Sequence, residues 1–559
     1  MNYNLENFRK MADDKNYEGL ISEMKCLYER CFSEEITALR YSDYIVFREN
    51  GSRREYERPY FKRRGCLLSS AILCMIYDDK KYLTSLCDTI WAIFDEYTWA
   101  VPAHMWAAKG PDKPFIDLFA AETGFALSEI YTILKDKLPD IIKERIILEI
   151  DRRIINPFIE NFFHWETKET NWSAVCGGAV GSTFILMRPE KFPIIEARIE
   201  KALDCFLKSY EEDGVCREGY GYWNYGFGYF VYYAELLHEF SNGEKTYFDS
   251  DKIKKIAEFQ QKVFIQGNVT ASFSDSTVKA SFNIGLCHFL KAKYDIALID
   301  EGFRTNYENN TGDPAYRFAA SLRNFVWFNP EYTGSSEDFN YYYLEKSNWY
   351  INKKENYAFA AKGGDNDEPH NQNDVGCFII SVNNEQLISD VGMGEYTLQY
   401  FREETRYKLI CNSSRGHSVP IVNGNEQSAG KEFYGKILSA DHENLEIEFA
   451  KAYDEPELKA LNRKFLFNDN EIILKDEFIF EKNTSYIERF ITKCEPKISD
   501  SSVIIKNLEI KFDKSRFTPS VNEEHFSSHD AKGDILYTID FECISKTDSK
   551  AAEFKFLIN

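Results

Sequence analysis

The residues Arg217-Glu218-Gly219-Tyr220-Gly221-Tyr222-Trp223-Asn224-Tyr225-Gly226 interleave glycines and phenols beside one carboxylate. Glycine lets a backbone come close to a ligand, and tyrosine offers an apolar plate that ends in a hydroxyl. Alone, the stretch reads either as a helix start with packing aromatics or as the wall of a cleft that holds a sugar. Other reactive groups lie on both sides of it. Upstream are Tyr97-Thr98-Trp99-Ala100-Val101-Pro102-Ala103-His104-Met105-Trp106 and Asn171-Trp172, the second followed by Gly177-Gly178. A histidine beside tryptophan is more often packed core than ligand, and Asn171 is a natural helix cap. Downstream are Glu368-Pro369-His370-Asn371-Gln372-Asn373-Asp374, then Asp390, then Ser413-Ser414-Arg415-Gly416-His417. Histidine and aspartate at the ends of neighbouring strands can converge on one divalent cation through imidazole nitrogen and carboxylate oxygen. The plainer alternative makes Asp374 and Asp390 turn residues and His417 a satisfied surface histidine. The chain has only nine histidines, so two in such polar settings carry weight.

The elements that must position these groups fall into two kinds. Up to about residue 330 the apolar period is helical, as in Asp140–Ile150, and amphipathic stretches continue through Glu196–Tyr210, Tyr229–Phe240, Lys252–Gln266 and Ala280–Lys293. The apolar run from Cys66 to Tyr77 predicts a buried helix, being too short for a bilayer. After about residue 335 the period becomes two. Leu445–Phe449 alternates, Lys464–Phe467 and Glu471–Lys475 read as a hairpin, and Val503–Ile510, Ile535–Phe541 and Glu553–Ile558 read as strands. This predicts an α+β multidomain chain: residues 1–335 a layer of paired helices, as in a solenoid or closed (α/α) toroid, and residues 336–559 an antiparallel β-sandwich. A chain of 559 residues is in any case too long for one ordinary core.

Composition narrows the function. Acidic residues outnumber basic ones, 90 to 68, for a formal charge of −22. That excludes the basic surface that nucleic-acid binding requires, although a local arginine cluster can still hold a smaller anion. No stretch predicts a membrane span. The thirteen cysteines show no paired metal spacing and an odd count, which suits reduced thiols. With no basic and apolar leader in the first residues, the expected location is the cytoplasm.

Taken together and in order, these clusters resemble the heparinase II/III-like polysaccharide lyases over roughly residues 90 to 430. The resemblance rests on Trp99–His104, Asn171-Trp172, Glu218–Gly226, His370–Asp374, Asp390-Val391-Gly392 and Ser414–Gly424. It implies an (α/α) toroid followed by a stacked β-sandwich, in agreement with the periodicities. It also implies β-elimination on uronate-containing glycosaminoglycans such as hyaluronan, chondroitin sulfate and heparan sulfate, with alginate the chief competing substrate. By position, Asn171 resembles the asparagine that neutralises the uronate carboxylate, Tyr222 the catalytic tyrosine and His370 the histidine supplied by the β domain. His104, Trp106, Trp172, Glu218 and Arg415 are the candidates for substrate contact, Glu218 as an orienting neighbour rather than an acid catalyst.

The resemblance breaks at one position. Many relatives carry a second histidine as a metal ligand two residues after the first, and here Gln372 stands instead. Gln372, Asp390 and His417 then form the implied ligand set for one structural divalent ion. Being mostly oxygen, the set is expected to bind zinc less tightly and to suit manganese. No organic cofactor is implied. A free phenol, with a pKa of about 10, is ionised in only about one molecule in a thousand at neutral pH, so Arg217, Arg406 and Arg415 are candidates to help Tyr222 lose its proton. Two other classes compete. A glycoside hydrolase on the same toroid would need a carboxylate pair, for which only Glu218 and Asp213 offer themselves. A non-catalytic carbohydrate binder would not need Asn171, Tyr222 and His370 together.

Overall fold

The computed structural model describes residues 4–105, 115–298, 313–334, 338–530, 532–543 and 547–559. An N-terminal helical domain is followed by a C-terminal domain of antiparallel sheets. The chain divides into two compact units that interleave along the sequence. One comprises Met1–Ser209, Tyr222–Lys254 and Ser281–Thr333; the other comprises Tyr210–Gly221, Lys255–Ala280 and Gly334–Asn559. The division falls inside the glycine–tyrosine stretch, with Gly221 in one unit and Tyr222 in the other.

Six helices of the first unit matter below: α1 (Arg54–Ile76), α2 (Leu118–Leu134), α3 (Asn171–Met187), α4 (Phe192–Lys208), α5 (Gly228–Phe240) and α6 (Phe318–Val326). From Cys66 to Ile76, α1 is buried all round, as its unbroken apolar run requires. Almost all of α3 is buried too, and its small residues explain how. A Cβ on Gly178 would lie 2.7 Å from the Tyr229 carbonyl oxygen, so only glycine allows α3 and α5 to pack backbone to backbone. The unit also contains a fully buried ion pair, Arg323 of α6 with Glu129 of α2. Among the described residues, no helix is long and apolar enough to cross a membrane.

In the second unit, the described strands after residue 340 form antiparallel sheets of nine, five and four strands. The predicted hairpin is present, with Phe467 opposite Ile472 and Phe465 opposite Leu474. Alternate residues of these strands, among them Phe465, Phe467, Ile472 and Leu474, enter an aromatic-rich core with Phe359, Phe378 and Phe490. Arg463 is fully buried between two carboxylates, Asp476 at 2.6 Å and Glu488 at 3.5 Å. Burial first and then Asp476 keep Glu488 well above the usual carboxylate range, although Arg463 opposes them.

Several local expectations change. The helix expected over Lys252–Gln266 ends at Val263, and Phe264–Gln266 is a strand paired with Val269–Thr270. Three apolar residues in succession fit either element, and pairing with a neighbour decides it. The helix expected from Ala280 begins at Ile284. Val503–Ile510 is two strands, Ser502–Ile505 and Leu508–Phe512, joined by a tight turn with Lys506 at φ 49°. The short Lys506-Asn507 turn is hidden in sequence by apolar residues on both sides.

Candidate active site

In the helical unit the opening stretch becomes a change of helical pitch. Tyr222 is half-buried and leads into a π-helical turn, Trp223–Phe227, that continues as α5. Such wide turns inside α-helices recur at functional sites. Asn171 is the first residue of α3 and is buried. It is not the helix cap. That position belongs to Thr170, whose side chain makes no capping bond. No hydrogen bond among the described residues ties the Asn171 amide. Its Cβ packs against the π turn, since a Cβ on Gly226 would meet it at 3.1 Å. The structure therefore brings Asn171 and the turn that starts after Tyr222 together.

His104 and Trp172 lie beside each other in the same unit, with ring centroids 4.8 Å apart. His104 stacks on Phe119 and has both ring nitrogens occupied, Nδ1 by Asp117 at 2.8 Å and Nε2 by an Arg53 N–H at 3.1 Å. Asp117 also accepts from Val101 and caps α2 through the Ala120 N–H. His104 is thus locked in one orientation, and a sugar can reach it only at its carbon edge or by displacing Arg53. Trp172 is half-buried and makes a second ring contact with His164. Trp106 lies outside the described residues.

In the β unit, His370 adopts a left-handed backbone, φ 56°, which is unusual for a side chain with a Cβ. The strain is held by polar contacts. Asp275, fully buried, meets His370 Nδ1 at 2.6 Å and accepts from Tyr396 at 2.8 Å, from the Tyr400 hydroxyl and from the Gln372 amide at 3.3 Å. Arg406 donates to the Asn371 carbonyl and to that of Tyr400, bracing the same loop. Burial works against the charged forms of Asp275 and His370. Their mutual hydrogen bond outweighs it, so the carboxyl sits below its usual range and the imidazole above. On the other side of the ring, Nε2 is 3.6 Å from a Glu218 carboxylate oxygen. Asp275 escaped the sequence reading because Ser272-Phe273-Ser274-Asp275-Ser276 lies between helical stretches and carries no spacing that marks a site.

The other candidates have clear partners. Arg217 pairs with Glu211 and lies 3.8 Å from Glu368. Burial pushes the Glu368 carboxyl up to about 7 although Lys362 and Arg217 oppose it. Arg415 is largely exposed, donates to the Lys408 carbonyl and faces Glu426. Asp213, half of the only acid pair a hydrolase could claim, is consumed by the backbone and hydroxyl of Ser347, at 2.8 and 2.7 Å.

The proposed metal ligands do not gather as a Gln-Asp-His set alone. Asp390, His417 and Cys377 offer ligand atoms that all lie within 4.8 Å of one another, and all three residues are buried. His417 is therefore no surface residue. Its Nδ1 meets Asp390 at 2.9 Å and its Nε2 lies 3.2 Å from the Cys411 carbonyl. Burial disfavours the imidazolium, but Asp390 more than compensates and holds His417 well above the usual histidine range. The Gln372 amide nitrogen is spent on the Ser274 and Gly392 carbonyls and on Asp275, which leaves its Oε1 a buried oxygen with no hydrogen-bond partner. The buried imidazole, carboxylate and thiol could together hold a metal ion, with Cys377 a donor that the expected set lacked, and a thiol among the donors suits zinc. The cysteine escaped notice because Cys377 stands directly before the apolar strand Phe378–Val382 and reads as part of its core run, thirteen residues before Asp390.

The architecture, helices followed by antiparallel sheets, is that of polysaccharide lyases. Heparinase III superposes with a TM-score of 0.63 at 14% identity, over 97% of this chain and 84% of that one. A heparan sulfate lyase mutant from Pedobacter heparinus gives 0.60 at 14%, over 90% and 77%. A Streptomyces coelicolor chondroitin AC lyase in complex with chondroitin sulphate gives 0.57 at 9%, over 99% and 82%. The chain finds no match among curated protein sequences. Residues 339–533 match the family described as Heparinase II/III-like, C-terminal.

Proposed function

We propose that the protein cleaves a uronate-containing glycosaminoglycan, such as hyaluronan, chondroitin sulfate or heparan sulfate, by β-elimination. The observation that carries this reading is the packing of Asn171, its amide untied among the described residues, against the turn that begins after Tyr222. Elimination needs those two functions in one neighbourhood. The C5 proton of a uronate is weakly acidic, and the adjacent carboxylate's charge opposes its removal. An amide that hydrogen-bonds the carboxylate stabilises the enolate-like transition state. A phenol can then take the C5 proton and return one to the departing O4 when both lie on one face of the sugar. In this reading Asn171 is the neutraliser and Tyr222 the proton carrier. His370, with its ring oriented by Asp275, is the base for the opposite C5 configuration. His104, Trp172, Glu218 and Arg415 remain the candidates for substrate contact.

Names of the structural neighbours support heparan or chondroitin sulfates over alginate. The loss of Asp213 to Ser347 speaks against a hydrolase. Cys377, Asp390 and His417, with Gln372 beside them in the reading, would hold one zinc ion whose contribution is to brace the β unit. We place the enzyme in the cytoplasm, acting on imported oligosaccharides. The test is to incubate purified protein with hyaluronan, chondroitin sulfates, heparan sulfate and alginate, and to follow ultraviolet absorbance. Elimination leaves a double bond conjugated to the carboxylate, and hydrolysis does not. Reducing ends without new absorbance would overturn the reading.

A further inference from the structure

The π turn after Tyr222 is held at its middle residue by a group that the elimination chemistry does not use. Tyr225, three residues on, donates its hydroxyl to Glu122 of α2. Arg317, just before α6, lies over the Tyr225 ring, 3.8 Å from its centroid, and its Nε approaches the same Glu122 oxygen at 3.4 Å. Asp313 takes the other side of that guanidinium at 2.8 Å. Three separate segments of the helical unit thus meet on one carboxylate, and the segment they fix is the one that begins with Tyr222. The arrangement exceeds what packing needs. A tyrosine that filled space here would not require its hydroxyl on a buried acid, and burying a carboxylate is costly unless it is paired and hydrogen-bonded.

We propose that Glu122, with Tyr225 and Arg317, is a positioning residue: it anchors the π turn and so sets where the Tyr222 hydroxyl stands. This rests on the proposed lyase reaction for its consequence, but the anchor itself can be read without it. In the ionised state Glu122 accepts from Tyr225 and pairs with Arg317. In the neutral state the carboxyl can still accept from Tyr225, but it loses the ion pair, Arg317 keeps Asp313, and the anchor on the turn is weakened. Burial pushes the Glu122 carboxyl up to about 7, with Arg317 and the Tyr225 hydroxyl opposing and Asp313 assisting. Among the described residues, the other groups nearby do not replace it: Tyr60 and Tyr316 line the same cleft as neutral phenols pushed up by burial. Arg64 of α1 lines the same cleft but is held by both oxygens of Glu96, Tyr229 lies beside Tyr225, and the Cys176 thiol of α3 is held neutral by burial. The anchor is therefore tightest above about pH 7 and weakened below it.

Two readouts on Glu122→Gln test this, with Tyr225→Phe as the second variant. The first needs no substrate. Tyrosine difference absorbance between pH 5.5 and 8.5, values chosen to bracket the titration at about 7, should show a transition centred near 7 in the wild type. Both variants should lack it. A transition that persists in Glu122→Gln, or is absent from the wild type, overturns the anchor whether or not the protein is a lyase. The second readout is kcat against pH. The wild type should lose rate on the acid side with a midpoint near 7. Glu122→Gln should lose that limb, with kcat lower by about tenfold and KM changed by less than about twofold, the pattern of a displaced catalytic group. An unchanged acid limb in Glu122→Gln, or an effect confined to KM, overturns the positioning role. A wild type with the absorbance transition and no activity on any uronate polymer would leave the anchor standing and remove the lyase reading instead.

Discussion

The two units support their reactive groups in opposite ways. In the helical unit, Asn171 and Tyr222 stand at a helix start and at a change of pitch. Their backbones are fixed by packing, and no hydrogen bond among the described residues ties the Asn171 amide. In the β unit, His370 sits on a loop with a strained backbone, and its position depends on polar contacts from Asp275, Tyr396, Tyr400 and Arg406. A helix end is already rigid and needs only close packing to place a side chain. A loop has no such support, so each group must be pinned by hydrogen bonds. The difference predicts which substitutions act on chemistry alone and which act through disorder.

The largest effect is expected at Tyr222. Replacing it by Phe should reduce formation of the unsaturated product by about 10²- to 10⁴-fold, the usual worth of an acid–base group. The melting temperature should barely move, because the ring stays and only a hydroxyl is lost. Asn171→Ala comes next, with kcat reduced by about 10²- to 10³-fold through loss of a transition-state hydrogen bond. Circular dichroism should show an intact helical unit. If either variant instead unfolded the protein while sparing its specific activity, the contrast between the units would fail.

Asp275→Asn should behave differently. It removes a buried charge that His370 and two phenols share, so stability should fall by about 1–3 kcal/mol in chemical denaturation. Activity should fall together with it, on substrates whose C5 configuration calls for His370. The smallest effect belongs to Cys377→Ser, which exchanges a thiol for a poorer zinc ligand. Zinc affinity measured by competition with a chelator should drop at least about tenfold, with kcat nearly unchanged in excess zinc. No stoichiometric ion in the purified wild type by elemental analysis would remove the metal from the account.

Much of this was legible in sequence because it depends on period and order. The switch from a helical to a two-residue period near residue 335 marks where sheets replace helices, and the paired strands around Asn468-Asp469-Asn470 appear where their alternation puts them. Asn171, Tyr222, His370, Asp390 and His417 are visible as an ordered set of motifs. What sequence could not disclose are partners brought in from far along the chain. Asp275 is 95 residues from His370, and Glu122 is 103 residues from Tyr225. A lone aspartate in a serine-rich turn and a glutamate in a helix have no local signature of what they will touch. Cys377 was hidden for another reason, since it adjoins the apolar strand Phe378–Val382 and looks like ordinary core.

The central claim, that Tyr222 carries the proton in an elimination, is tested most directly by one assay. Wild type and Tyr222→Phe are incubated with the uronate polymer the wild type degrades best, and conjugated product is followed by ultraviolet absorbance. The account predicts steady product formation by the wild type and nearly none by the variant, with both proteins equally folded. Product formed by Tyr222→Phe at close to the wild-type rate would contradict it.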